Sequence, residues 1–98
     1  MSVKKQFIKT KPVCKVTFSV AAKEATNVAV VGDFNNWNAF EGALSKLKNG
    51  TFKAVFDLPK DQTFEYRYII DGEYSNESEA DSYRWNEYAH TENSVLEL

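Results

Sequence analysis

Trp37 carries the most evident chemistry in the chain. It ends the stretch VAVVGDFNNWN over residues 28–38. Asp33, Asn35 and Asn36 are residue types that hydrogen-bond their own backbone in turns, so an indole at position 37 stands in a loop that is stiff and yet polar. A flat apolar ring beside amides that donate and accept is the layout of a binding platform. The opposing reading is that Trp37 folds back over one end of the core, and residue types alone leave both open.

Groups that could break bonds are sparse. His90 is the one histidine, with no cysteine or carboxylate at metal-ligand spacing around it, so it reads as a surface residue and no metal is implied. Glu77, Glu79 and Asp81 alternate along a loop and read as a solvated charge run; a glycosidase pair would need a rigid cleft around two carboxylates. We find no nucleophile motif, no phosphate loop and no cofactor signature, so no catalytic residue is assigned.

The platform must be held by strands. Val28–Val31 is small and apolar on both faces, which suits a central strand covered on two sides. Gly32 then permits a bulge or a close backbone approach, and Phe34 continues the face of Val28 and Val30 as a core anchor. Upstream, Cys14, Val16, Phe18 and Val20 alternate with polar residues as a half-buried strand. Downstream, Asn49–Gly50 marks a hairpin between residues 43–48 and a strand bearing Phe52, Ala54, Phe56 and Leu58. Phe64, Tyr66, Tyr68 and Ile70 alternate with Thr63, Glu65, Arg67 and Ile69, and Asp71–Gly72 makes a second tight turn. Residues 1–11 form a lead-in segment or an edge strand, residues 21–27 a connection, residues 75–92 a long irregular segment, and residues 93–98 a closing strand. About seven antiparallel strands with turns between them predict an all-β fold, an immunoglobulin-like sandwich with no long helix.

The 98 residues imply one domain over 1–98, with a core that buries roughly two-thirds of the unfolded surface. A formal net charge of −2, from 12 basic and 14 acidic residues, gives no attraction to nucleic acid or an anionic membrane and favours neutral partners. The single cysteine, Cys14, lies among strand apolars and reads as a buried thiol, which fits a reducing compartment. With neither an apolar span nor a signal-peptide core, a cytoplasmic location is expected.

Three separated pieces, GDFNNWN, FEYRYIIDGEY and TENSVLEL, resemble the glycogen-binding, isoamylase N-terminal-like domains of carbohydrate-binding module family 48. This family is found in starch-debranching and glycogen-branching enzymes and in the β subunit of AMP-activated protein kinase. The resemblance runs from about Val13 to Leu98. It implies a noncatalytic module that binds α-1,4-glucan, in company with a glycogen-metabolising enzyme. The family's stacking tryptophan falls on Trp37, its basic hydrogen-bonder on Arg67, its second aromatic platform on Tyr74, and its terminal polar pair on Thr91 and Asn93. A pyranose has faces of C–H bonds and an equator of hydroxyls, so flat platforms with donors and acceptors at their edges suit it.

The chain departs from the family pattern in three places. Tyrosine replaces the frequent tryptophan at position 74, the segment between Tyr74 and Asn93 is longer, and Ala89 stands where the kinase subunit has a bulky apolar residue. Trp85 is either a third platform or a cover for the core. The competing function is a protein-interaction or regulatory sandwich, since this fold serves many purposes. A third reading is that the chain counts as a glycoside hydrolase only because its relatives are fused to one; the (β/α)₈ barrel of such enzymes is absent from the sequence.

Overall fold

The computed structural model covers Met1–Leu98, and the alternation read from the sequence sets which side of each strand is buried. Strands β1 (Ser2–Phe7), β2 (Val13–Ala21), β5 (Thr51–Pro59) and β4 (Ser45–Lys46) form one antiparallel sheet in the order β1-β2-β5-β4. Strands β3 (Val28–Gly32), β6 (Thr63–Ile70), β9 (Thr91–Glu97) and β8 (Ser82–Asn86) form the second, in the order β3-β6-β9-β8, and β7 (Glu73–Ser75) also pairs with β6. The two sheets stack as an immunoglobulin-like sandwich. Its nine strands exceed the expected seven because β4 and β7 are fragments of two and three residues. The only helical element is one 3₁₀ turn, Asp33–Asn35, and no helix is long and apolar enough to cross a membrane.

The core is aromatic at its centre. Phe18 of β2 lies 5.4 to 6.3 Å, ring centre to ring centre, from Phe34, Phe56, Tyr66 and Tyr68. Edge-to-face and offset contacts of this kind add about 0.5–1.5 kcal/mol each beyond the area they bury. Cys14, Val16 and Val20 of β2 and Val28 and Val30 of β3 complete the layer. Phe34 reaches the core as expected, but from the 3₁₀ turn and not by continuing the strand alternation.

Two local expectations change. β3 is not central: it ends its sheet, and its free edge is covered by residues 42–44, through Val30 N–H to the Gly42 carbonyl at 2.9 Å and Leu44 N–H to the Val28 carbonyl at 2.9 Å. That cover explains why every residue of an edge strand is buried. The segment read as irregular also contains β8, a regular strand of mostly exposed residues in which Tyr83 and Trp85 alternate with Ser82, Arg84 and Asn86.

The acidic run is the larger correction. Glu77 is buried, not solvated: its carboxylate accepts from the Tyr68 hydroxyl at 2.8 Å and from Glu79 N–H at 3.1 Å. Its own N–H donates to Ser94 Oγ at 2.9 Å, and Tyr83 donates its hydroxyl to the Glu77 carbonyl. Asp81 bonds Lys5 Nζ at 2.6 Å and Glu97 N–H at 2.8 Å. A sequence shows the carboxylates but not the phenol and backbone donors that come to them from other strands.

Burial first, and then the charge of Glu77, pushes the phenols of Tyr66 and Tyr68 well above their ordinary range. In the unfolded chain both ionise near pH 10, while the folded chain keeps both protons; the native state binds more protons there, and stability falls as pH rises. The full contribution is present below about pH 10 and is lost above it at about 1.4 kcal/mol per pH unit per tyrosine. Urea titrations at a series of pH values above 10 should show this decline, and Tyr68→Phe should make it shallower by one tyrosine's share. An unchanged slope in the variant would refute this assignment.

Candidate functional site

The outward face of the second sheet is set by register. Glu65, Arg67 and Ile69 alternate with the buried Phe64, Tyr66 and Tyr68 along β6. Arg67 lies opposite Val31 of β3, Ile69 opposite Tyr74 of β7, and Glu65 opposite Val95 of β9, which puts Asn93 and Thr91 on the same side. Directly opposed residues share a face of the sheet. Arg67, Tyr74, Thr91 and Asn93 therefore belong to one surface, although they come from three strands.

Within that surface the Arg67 guanidinium lies over the Tyr74 ring, 5.0 Å from its centre, and Tyr74 is 58% exposed. No side-chain donor of Arg67 bonds to the protein, and its Nε is shielded without a partner. The ring thus holds the cation in place while its terminal amino groups bond no other part of the protein. Asn93 is buried: its amide donates to Glu65 at 3.1 Å, while its Oδ1 has no partner. The second oxygen of Glu65 accepts from Arg84, also at 3.1 Å.

Trp37 comes to this strand through a carboxylate. Gly32 lets the chain cross β6 closely, since a Cβ there would lie 2.6 Å from the Glu65 carbonyl oxygen and 2.8 Å from Tyr66 Cβ. Beyond it, Asn35 is buried; its Oδ1 accepts from Gly32 N–H and its amide donates to the Val30 carbonyl, both at 3.0 Å. Asp33 then accepts from the Trp37 indole N–H at 3.1 Å with one oxygen and from Glu65 N–H at 2.8 Å with the other. β3 has ended at Gly32, so the Asp33 side chain takes over as partner for the next amide of β6. Asn36 and Trp37 both have left-handed backbones, φ 55° and 57°. Asparagine tolerates that conformation, while for tryptophan it costs on the order of 1–2 kcal/mol and is held only by the surrounding bonds. The indole remains 38% exposed.

Trp85 is not brought to this face. It lies opposite Glu92, one residue out of phase with the Arg84–Asn93 pair, so it projects from the other side of the sheet and is 57% exposed. It therefore neither joins the other aromatics nor covers the core. His90 is exposed in the turn before β9. Residue patterning singled out neither Asp33 nor Glu65 for the site, yet they link Trp37, Asn93 and Arg84 to β6. For Glu65 a signal was present, because it shares the strand face of Arg67.

Trp37 and Tyr74 are thus exposed rings, the Arg67 side chain bonds nothing in the protein, and the carboxylates of Asp33 and Glu65 are both paired. Residues 7–89 match the family model of carbohydrate-binding module 48, the isoamylase N-terminal domain. The chain belongs to this family. It is thus a carbohydrate-binding module in kind, folded as a sandwich without a catalytic barrel. Over 39 residues it is also 49% identical to the 1,4-alpha-glucan branching enzyme GlgB of Deinococcus radiodurans. That match covers 40% of this chain and 6% of the enzyme.

Asp33 should matter to the module before any ligand is added. Asp33→Ala leaves Glu65 N–H and the indole N–H without protein partners, and should cost about 1–2 kcal/mol in thermal or urea denaturation. In a Trp85→Phe background it should also lower the fluorescence anisotropy of Trp37. Unchanged anisotropy would mean that the carboxylate does not hold the ring.

Proposed function

We propose that this module holds α-1,4-glucans such as glycogen or starch on the outward face of its second sheet, with Trp37 and Tyr74 as stacking platforms and Arg67, Thr91 and Asn93 as hydroxyl partners. It does so without hydrolysing them. The observation that carries this reading is the Arg67–Tyr74 pair at 5.0 Å, an exposed ring with one face braced by a guanidinium that bonds nothing in the protein. A pyranose needs that combination, whereas an anion would need a net positive face. The branching-enzyme relative supports the glucan class. We further propose that the module accompanies a glycogen-metabolising enzyme in the cytoplasm, where its lone buried Cys14 stays reduced. On this view Trp85 takes no part in the face formed by Arg67 and Tyr74.

Substitution of Trp37 tests the reading directly. Trp37→Ala should leave the melt nearly unchanged and weaken glucan binding at least tenfold, since stacking on a ring ligand is worth roughly 1–3 kcal/mol by analogy with bases. Wild-type affinity should barely change between low and moderate salt, because the ligand is neutral. A core cap would behave differently, with about 3–5 kcal/mol of stability lost and affinity per folded molecule retained. A protein-interaction sandwich would show no retardation by glycogen in a native gel.

A further inference from the structure

The module has one cavity, of about 260 Å³, and it adjoins the glucan face. Ala43, Ala29 and Ile69 line it and begin a row of directly opposed residues that continues beyond it to Tyr74: Ala43 faces Ala29, Ala29 faces Ile69, and Ile69 faces Tyr74. Three interstrand spacings make this row about 14 Å long. The two alanines at one end of the row leave a trough, separated by Ile69 from the Tyr74 platform at the other. Phe40, which is 94% exposed, lines the cavity from the loop after Trp37. Its turn is fixed, because Phe40 N–H and Glu41 N–H both donate to Asn38 Oδ1, at 2.8 and 3.2 Å.

The rim is polar but uncharged. Thr26 and Asn27 line it, and their backbone amides are both taken by Asp71 Oδ1, at 2.9 and 2.8 Å. Their side-chain hydroxyl and amide have no partner in the chain. None of the ten lining residues is ionisable. Apolar floor, exposed ring, neutral donors and acceptors at the edge: these repeat the chemistry of the Arg67–Tyr74 surface and suit the same class of ligand. An apolar side chain of a protein partner would leave the rim groups unused.

We propose that the trough is an extension subsite, which takes further glucosyl residues of the chain engaged at Tyr74, with Phe40 as its distal platform and Thr26 and Asn27 as hydroxyl partners. The proposal rests on the glucan reading of the adjoining face and adds a dependence on chain length. Titration calorimetry of the 98-residue chain with maltotriose, maltopentaose and maltooctaose tests it. Wild-type affinity should rise along the series. Phe40→Ala removes the exposed ring, and Ala43→Leu fills the trough from an exposed position. Both should keep the wild-type affinity for maltotriose and lose about tenfold on maltooctaose. Variants that follow the wild type at every length would overturn the subsite and leave the adjoining face intact. Equal losses on all three sugars would also overturn it, since the trough would then belong to the primary site. A wild-type chain that binds none of the series would remove the glucan reading and the subsite together.

Discussion

The two-residue alternation of β6 is the constraint on which both core and site depend. Its inward residues, Phe64, Tyr66 and Tyr68, pack in the aromatic centre, and its outward residues, Glu65, Arg67 and Ile69, make the middle of the candidate face. β6 is also the strand with most neighbours, pairing with β3 along one edge and with β9 and then β7 along the other. A slip of one residue would drive Glu65 and Arg67 into the aromatic core, and desolvating those charges costs several kcal/mol each. The energy that fixes the core register therefore also fixes which groups face outward. The site needs no separate device to orient its strands.

Acidic side chains act as terminators of the backbone ladders. Asp33 receives Glu65 N–H where β3 has stopped, Asp71 receives the amides of Thr26 and Asn27 before β3 begins, and Asp81 receives Glu97 N–H at the end of β9. Glu77 does the same for Glu79 from a buried position. Each would otherwise be an amide without a partner at a place where the sheet runs out, and a charged acceptor makes the stronger bond. The slight acidic excess of the chain thus reflects joints of the fold as much as its surface.

Much of this was legible in the sequence. Turn residues and alternation were enough to locate β2, β5 and β6, and the two positive φ angles at Asp71 and Gly72 make the tight turn that an Asp-Gly pair favours. The Asn49–Gly50 hairpin formed with a longer loop, closed by Gly50 N–H to the Leu47 carbonyl at 3.0 Å, and left β4 only two residues. What stayed hidden was long-range. β8 alternates Tyr83 and Trp85 with Ser82, Arg84 and Asn86, but over five residues only and with most of them exposed, a weak mark of a strand when its partner is unknown, and the side taken by Trp85 follows from pairing with Glu92 seven positions on. Glu77 looked like any loop acid because its partner Tyr68 comes from another strand. The edge position of β3 was obscured for the same reason, since the cover that buries it is a loop with no strand signal.

The energetics of the proposed face bear on what such a module is for. Each platform offers only roughly 1–3 kcal/mol of stacking, and the hydrogen bonds exchange with water for a small net gain. Association also costs several kcal/mol in lost rigid-body freedom, so a single short chain is held weakly even by a rigid site. Rigidity helps most here. Trp37 is set in place by Asp33 and by its left-handed turn, and Arg67 rests on Tyr74, so little order remains to be imposed when a ring arrives. A branched polysaccharide then supplies what one chain lacks, since many equivalent chains near the surface raise the effective concentration and favour rebinding after each release. On the proposed reading, weak contacts on a preformed face suffice to keep the module, and anything that travels with it, at a glucan particle while still letting it move from chain to chain.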